Sequence, residues 1–188
     1  MIERSLVLVK HDGVVRGLIG EIIKRLENVG LKICAMKMMW ADEKLAENHY
    51  KFEKEWATSV FNKTKNTHER DGTPFPYSDP LEFGKMVQGW NIDFLREGPV
   101  IAFIVEGPHA ISVIRKLVGH TEPKQAEIGT IRGDYSMTES YDLANNLKRV
   151  LRNLVHASDS VKNAEREISL WFSKEEIHKY PKDLDRHY

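Results

Sequence analysis

The sequence has almost no cysteine: its 188 residues include only Cys34. One thiol excludes a disulfide within the chain and any metal site built from several cysteines. Cys34 lies in the largely apolar segment 31–36, where a cysteine usually behaves as a small core side chain. We therefore expect Cys34 to be buried.

The chain also lacks a net charge, since 28 Lys and Arg balance 28 Asp and Glu. Proteins that neutralise a nucleic-acid backbone usually carry an excess of positive charge. Hydrophobic residues make up 41% and charged residues 30%, which is ordinary for a globular chain and excludes a disordered one. We therefore do not expect nucleic-acid binding as the main role, although a local basic pocket for a few phosphates remains compatible with these numbers.

Long apolar runs are missing as well. No segment is apolar over the length needed to span a bilayer, and residues 1–4 do not resemble the start of a signal peptide. We expect no membrane association and a cytoplasmic location. The length suits one domain with a single core, with or without insertions.

Short runs rich in β-branched and apolar residues predict four strands. Helices are predicted where apolar residues recur every three or four positions, as they do between Leu18 and Val29 ahead of a C-capping Gly30. The predicted strands are residues 5–10, 31–40, 100–105 and 154–156. The other predicted helices are 45–56 after an Asp42 N-cap, 81–95, 110–117 after Pro108, 143–151 and 158–172. Residues 62–80 are predicted as an exposed polar insertion, and residues 121–134 as a loop.

The order of these elements is that of two split βαβ halves. This order is typical of an α+β protein, a ferredoxin-like α/β sandwich with an antiparallel four-stranded sheet. We therefore predict this fold.

Three clusters of polar residues, at 10–13, 129–134 and 152–160, follow predicted strands or lie in loops. Taken alone, a lysine at a strand end or an arginine between glycines is usually a surface charge, and a histidine after apolar residues is usually structural. Their combination is more informative. His156 ends a strand, and a helix begins just after it at Ser158, where free N–H groups and a partial positive charge suit phosphate.

These clusters closely resemble the signatures of nucleoside diphosphate kinases. The similarity also takes in residues 16–23, 115–121 and 165–172, and it covers most of the chain except about 57–85 and 137–150. We interpret those two segments as insertions into a single domain, residues 1–188. The matching runs are Lys10-x-Asp12-Gly13, Gly129-Thr130-Ile131-Arg132-Gly133-Asp134 and Asn153-Leu154-Val155-His156-Ala157-Ser158-Asp159.

The resemblance implies a phosphotransferase that acts on nucleoside triphosphates and diphosphates by a ping-pong mechanism. His156 would attack the γ-phosphorus, become a phosphohistidine, and pass the group to a second nucleotide. An attacking imidazole needs an acceptor for its other nitrogen. By resemblance Glu167 is that acceptor, and Ser158 would hydrogen-bond to Glu167.

The resemblance also implies a ring of donors for the charge that develops on the phosphoryl oxygens. Arg115 and Thr121 would hold the β-phosphate, and Arg132 would bridge toward the transferred group. A site that grips sugar and phosphate, which all nucleotides share, should accept purines and pyrimidines alike.

Four further residues complete the site that the resemblance implies. Lys10 and Asn153 would hold the ribose 3′-hydroxyl and a nearby phosphate oxygen. Tyr50 would hydrogen-bond close to the phosphoryl group. Mg²⁺ would be the cofactor, carried on the nucleotide phosphates with Asp159 reaching it through water, because Mg²⁺ keeps several of its waters in such sites.

The chain departs from the family pattern at several positions. His11 replaces the usual proline, and His120 stands where an acidic residue is common. The first insertion falls where the family supplies the base-stacking side chain. Counting back from Gly98 puts Val87 at that position, with Phe61 and Trp90 as alternatives. The resemblance implies a homo-oligomer, usually a hexamer. Because the second insertion lengthens a loop that makes subunit contacts in the family, we expect either a hexamer or a tetramer.

Two alternatives remain: a nucleotide-binding relative without activity, and a nucleic-acid-binding protein. The complete set of family site residues argues against the first, and the balanced charge argues against the second. The other histidines lack local catalytic partners, and we expect them at the surface or in satisfied polar roles. They are His49, His68, His109, His178 and His187.

Overall fold

The computed structural model describes residues 2–182. Its sheet has four strands in the order β2-β3-β1-β4, and every neighbouring pair is antiparallel. The predicted ferredoxin-like α+β sandwich is therefore confirmed. The strands are β1 Ile2–Val9, β2 Lys32–Met39, β3 Val100–Pro108 and β4 Val155–Ala157. One residue with a predicted surface role, His187, lies outside the described range.

Nine α-helices and one 3-10 helix accompany the sheet within residues 2–182. The early helices are α1 His11–Val15, α2 Ile19–Asn28, α3 Glu43–His49, α4 Lys54–Arg70 and α5 Pro80–Arg96. The later ones are α6 Ala110–Val118, the 3-10 helix Pro123–Gln125, α7 Ile131–Tyr135, α8 Tyr141–Asn146 and α9 Val161–Trp171.

The central strand β1 explains the two-layered core. Its neighbours are β3 along its whole length and β4 at its end, where Leu8 pairs with His156. Successive side chains of a strand point to opposite faces. Val7 and Val9 pack with α2 and α6 on one face, while Leu6 and Leu8 pack with α3, α5 and α9 on the other. Helices thus cover both faces, and β4 ends beside α9.

The region from α3 to α5 differs from the prediction. Helix α3 ends at His49, and a separate α4 continues to Arg70, through residues that were predicted to form an exposed insertion. Phe61, Thr64 and His68 are buried at helical spacing along α4. The prediction was wrong here because this buried stripe is mostly polar or aromatic, so it does not show the aliphatic periodicity of an ordinary core helix.

Smaller differences lie around the later loops. The predicted loop 121–134 contains the 3-10 helix and the start of α7, where Thr130 accepts from the Gly133 N–H as an N-cap. Helix α8 begins earlier and ends sooner than predicted, after the N-cap Ser140. Pro108 ends β3 and does not begin α6. None of the helices within residues 2–182 is both long enough and apolar enough to cross a membrane.

Candidate active site

A cavity of about 380 Å³ gathers the predicted catalytic, phosphate-binding, ribose-binding and metal-linked residues with one exception. Ser158 is the exception: it does not line the cavity, but lies fully buried beside Glu167. The cavity-lining members of the predicted set are Lys10, Tyr50, Arg115, Thr121, Arg132, Asn153, His156, Asp159 and Glu167.

The centre of the site is His156, the middle residue of β4. Its Nε2 lies 2.9 Å from Glu167 Oε2, and the Ser158 hydroxyl donates to the same oxygen at 2.6 Å. An ionised carboxylate only accepts hydrogen bonds, so the proton of a neutral His156 sits on Nε2. The lone pair of Nδ1 is then left for chemistry. The His156 side chain is 22% exposed, against 7% for Glu167.

The electrostatics of Glu167 support this tautomer. Burial alone would raise the pKa of this carboxyl. The charge and hydrogen bond of His156, the charge of His49 and the hydrogen bond from Ser158 outweigh burial and lower the pKa of Glu167 to about 2. Glu167 therefore stays ionised at neutral pH and remains an acceptor for the Nε2 proton.

The backbone before His156 is strained, and hydrogen bonds hold it in this conformation. Leu154 has a φ of 67°, a left-handed conformation that is costly for a leucine. Its carbonyl accepts from the Lys10 N–H at 2.8 Å, and its N–H donates to Asp12 Oδ2 at 3.0 Å. The Asp12 carboxylate, which the sequence motif contained but to which no role was assigned, thus ties the first motif to the His156 strand.

Lys10 and Asn153 form a pair inside the cavity. The Lys10 ammonium donates to Asn153 Oδ1 at 2.8 Å, and the Asn153 amide donates to the Thr121 carbonyl at 2.8 Å. Burial lowers the pKa of Lys10 to about 8; the nearby Asp12 raises it and Arg132 lowers it further. Lys10 is therefore a cation that is only weakly solvated and available to a bound anion.

Arg132 is a buried cation that organises the backbone around it. Its guanidinium donates to the carbonyls of Asn153 and Val155 at 3.1 and 2.7 Å, and to those of Gly119 and His120 at 2.9 and 3.3 Å. Burial and the charge of Arg115 lower the pKa of Arg132. The four carbonyls stabilise the protonated form, so we treat Arg132 as charged.

Arg115, Asp159 and Tyr50 also line the cavity. Asp159 Oδ1 accepts from the Asn163 amide at 2.7 Å. Burial raises the pKa of Asp159, but the bonds from Asn163 and Ser160 and the charge of Arg115 lower it overall. Burial, with the nearby Glu167, raises the pKa of Tyr50 well above its usual range. Its phenol therefore stays protonated and can donate.

His49 is a site residue that the sequence reasoning missed. It was assigned a surface or satisfied polar role, yet it is 4% exposed, lines the cavity and packs edge-on against His156, with ring centroids 4.6 Å apart. The Trp171 indole donates to its Nδ1 at 3.2 Å. The proton of a neutral His49 therefore sits on Nε2, which has no hydrogen-bond partner within residues 2–182. Only the folded structure brings His49 next to His156, so no signal in the sequence could have identified it as a site residue.

The ligand atoms of His49, His156 and Glu167 lie within 4.8 Å of one another. A metal ion would need the lone pair of His49 Nε2. The hydrogen bond from Trp171 places a proton on that nitrogen, which argues against a metal at this position. Asp159 is different: its carboxylate is held ionised beside the cavity, and such a hard oxygen ligand suits Mg²⁺.

The apolar residues that line the cavity decide which of the three predicted side chains could stack on a base. Phe61, one of the three alternatives, does not line the cavity; it packs in an aromatic cluster with Phe75 and Phe83. Val87 and Trp90 both line it, and so does Trp56, which the sequence reasoning missed.

The two histidines that depart from the family pattern, His11 and His120, do not line the cavity. The ring of His11 packs against Gly98, where an added Cβ would come within 2.1 Å of it. His120 caps its own loop, since the Glu122 N–H donates to its Nδ1 at 3.1 Å.

Comparison with known proteins gives one consistent result. A family model described as nucleoside diphosphate kinase matches residues 3–70 and 83–177. The chain is 42% identical over 180 residues to a nucleoside diphosphate kinase of Pyrobaculum aerophilum, covering 94% of this chain and 98% of the relative. It is 43% identical over 187 residues to one of Pyrococcus furiosus, covering 100% and 93% respectively.

Solved structures agree with the sequence relatives. The NDP kinase of Pyrobaculum aerophilum superposes with a TM-score of 0.89 at 40% identity, covering 95% of this chain and 100% of that one. A transition state mimic of the nucleoside-diphosphate kinase from Borrelia burgdorferi, with bound vanadate and ADP, gives a TM-score of 0.80 at 38% identity, covering 100% and 96%.

Proposed function

We propose a mechanism from the premise that this chain belongs to the nucleoside diphosphate kinase family and transfers a phosphoryl group from a nucleoside triphosphate to a nucleoside diphosphate. In this mechanism, His156 Nδ1 carries the group between the two nucleotides. The single observation that carries this proposal is the Glu167 carboxylate, whose Oε2 engages His156 Nε2. Because Nε2 is engaged, Nδ1 is the only ring nitrogen with a lone pair to offer.

The transfer then runs in two half-reactions. In the first, the Nδ1 lone pair forms a bond to the γ-phosphorus as the bond to the β,γ-bridging oxygen breaks, and the diphosphate leaves. In the second, a terminal β-oxygen of another diphosphate attacks the phosphorus and the N–P bond breaks. The positive charge on the phosphorylated ring is stabilised by Glu167 through Nε2–H. The vanadate and ADP bound in the Borrelia burgdorferi relative fit such an in-line displacement.

The cations of the cavity would stabilise the charge that moves between these nucleotides. We assign the β-phosphate to Arg115 and Thr121. We assign the transferred group to Arg132, whose guanidinium lies between the carbonyls of residues 119–120 and β4. Four of the five N–H groups of Arg132 donate to backbone carbonyls. These bonds hold the guanidinium in place and leave one N–H on Nη2 for a phosphoryl oxygen, a preorganised arrangement that lowers a barrier efficiently.

The ribose and the remaining phosphate oxygens would be held by Lys10 and Asn153, which already form a pair at 2.8 Å. Tyr50, with a phenol that stays protonated, would donate close to the phosphoryl group. Val87 and Trp90 are the candidates for stacking on the base, because both line the apolar part of the cavity. Stacking of this kind discriminates little between bases.

The divalent cation that nucleotide chemistry requires would be Mg²⁺, bound to the substrate phosphates with Asp159 reaching it through water. Mg²⁺ neutralises phosphate charge and polarises the phosphoryl oxygens when it is bound. The ionised Asp159 carboxylate at the cavity supports this assignment.

A homo-oligomer, a hexamer or a tetramer, and a cytoplasmic location belong to the same proposal. The edge strand β2 exposes Met36 and Met38, and Trp40 follows them, with exposed fractions of 58, 57 and 63%. Such an apolar stripe is typical of a surface that is covered in an assembly. The single cysteine fits a reducing compartment.

Substitution of His156 tests the proposal. We expect His156→Gln to abolish phosphoryl transfer while leaving the thermal unfolding temperature nearly unchanged, because His156 lies at the cavity and is not part of either hydrophobic core. The matched control is His109→Gln, an exposed histidine away from the cavity, which should keep full activity. Substantial transfer by His156→Gln would show that another residue is the nucleophile.

A further inference from the structure

Glu122 is a fully buried carboxylate next to Thr121 in the chain, and it receives donors from three separate elements. The Thr67 hydroxyl of α4 donates to Oε2 at 3.2 Å, and the Tyr141 N–H at the start of α8 donates to Oε1 at 3.1 Å. The Gln125 amide of the 3-10 helix also donates to Oε2. The Arg70 guanidinium of α4 lies 3.8 Å away.

Arg132 and Asn153 of the candidate site hold the same loop from its other side. Arg132 donates to the carbonyls of Gly119 and His120, and Asn153 donates to the carbonyl of Thr121. Residues 119–122, which we call the Thr121 loop, are therefore held between the site and α4. Glu122 supplies the hydrogen bond between this loop and α4, and Lys124, two residues further on, adds an ion pair with Asp71 at the end of α4.

Burying a carboxylate is costly unless its oxygens are satisfied, and apolar packing at such a place is often at least as stable. The Glu122 oxygens are satisfied, but stability alone does not require a carboxylate at this place. Its position explains it better, because Glu122 directly follows Thr121, which lines the cavity.

We propose that Glu122 is a positioning residue that tethers the Thr121 loop to α4 and α8 and so aligns Thr121 for the β-phosphate of the nucleotide. This inference rests on the proposed function, in which Thr121 holds that phosphate. The tether makes α4, a helix remote from the reacting histidine in sequence, part of what sets nucleotide affinity.

The test compares ADP with AMP, which lacks the β-phosphate, by isothermal titration calorimetry on the full chain. Glu122→Gln keeps the shape of the side chain but removes its charge and one acceptor. We expect the Kd of ADP to rise about tenfold and the Kd of AMP to stay within about twofold, the size expected for one or two weakened hydrogen bonds. Steady-state kinetics should show a similar rise in KM for the diphosphate with kcat nearly unchanged, because uniform binding is lost.

Thr67→Val is the second variant, because it removes one donor to Glu122 and leaves the carboxylate in place. We expect about a threefold rise in the Kd of ADP. Its matched control is Thr58→Val on the same helix, where the exposed hydroxyl donates only to the Lys54 carbonyl of its own helix; this variant should bind like the wild type.

Two outcomes would overturn the proposal: an unchanged Kd of ADP in both variants, or an equal loss of ADP and AMP affinity, which would indicate a general loosening of the fold. Failure of the proposed function is distinguishable from either. In that case the wild-type chain itself would form no phosphorylated His156 with a nucleoside triphosphate, whatever the variants bind.

Discussion

At the scale of single residues, the chemistry depends on which nitrogen of His156 is free. Glu167 and Ser158 together fix the proton on Nε2, and Trp171 fixes the proton of the neighbouring His49 in the same indirect way. In both cases, a hydrogen bond from a side chain distant in sequence determines which ring nitrogen of the histidine carries the proton. The resemblance to a known family predicted the first of them, whereas nothing in the local sequence around His49 pointed to the second.

Removing the charge of Glu167 should slow the formation of the phosphohistidine. In Glu167→Gln the amide can still meet Nε2, but it no longer stabilises the positive charge on the phosphorylated ring. We expect the single-turnover rate of phosphorylation, measured by rapid quench, to fall about 10- to 100-fold, as is usual for loss of a partner that orients a reactive histidine.

Glu165→Gln is the matched control, since Glu165 is exposed on the same helix, α9, two residues away. It should phosphorylate at the wild-type rate. An unchanged rate in Glu167→Gln would mean that this carboxylate does not set the tautomer of His156.

Lys10 should give the enzyme an alkaline limit. Its pKa is lowered to about 8 by burial, with opposing contributions from Asp12 and Arg132. The ammonium is therefore present below about pH 8 and is lost as the pH rises through that value, so kcat/KM, which reports the free enzyme, should fall above pH 8. Lys10→Arg keeps its charge at higher pH. The normalised profile of this variant should fall at a higher pH, and identical profiles would contradict the assignment.

At the scale of elements, the sequence predicted what hydrophobic patterning can encode. The strands β1 and β3 and the helix α2 are apolar on regular faces, and the structure has them within a few residues of their predicted ends. The polar second half of α4 was missed, because its buried side chains are Thr64, Thr67 and His68. Their burial follows from contacts with α5, α8 and Glu122, which no local pattern reveals.

The contact between α4 and α5 is close enough to require a glycine. A Cβ at Gly84 of α5 would come within 2.3 Å of the Cβ of Ala57 on α4. Gly84→Ala should therefore push the helices apart and lower the free energy of unfolding by about 1–3 kcal/mol, measured by urea denaturation. The loss should appear in the denaturation midpoint.

Gly89 provides the control on the same helix. A Cβ there would have no neighbour within 4 Å outside its own surroundings in the chain. Gly89→Ala should raise the free energy of unfolding by about 0.5–1 kcal/mol through helix propensity alone. Equal effects of the two substitutions would show that α4 and α5 are not in close contact at Ala57.

At the scale of the whole molecule, the order of strands and helices was enough to predict the fold class, because few ways exist to pair four such strands and cover both faces. The site was another matter. Its residues come from β4, from the helices α6, α7 and α9, and from the loops after β1, α3 and α6 and on either side of β4. Similarity to the kinase signatures connected them before the structure did. The balanced net charge, by contrast, gave no information about the nucleotide substrates, because Lys10, Arg115 and Arg132 are concentrated in one cavity.

The most direct measurement of the central claim is the chemical state of the protein after one half-reaction. The chain is incubated with a γ-labelled nucleoside triphosphate and Mg²⁺, freed of nucleotide, and analysed by mass spectrometry. The account predicts an acid-labile, base-stable phosphate on His156 that a nucleoside diphosphate removes, regenerating a labelled triphosphate. An acid-stable phosphoester on another residue, or a labelled product formed with no phosphorylated protein at any time, would contradict it.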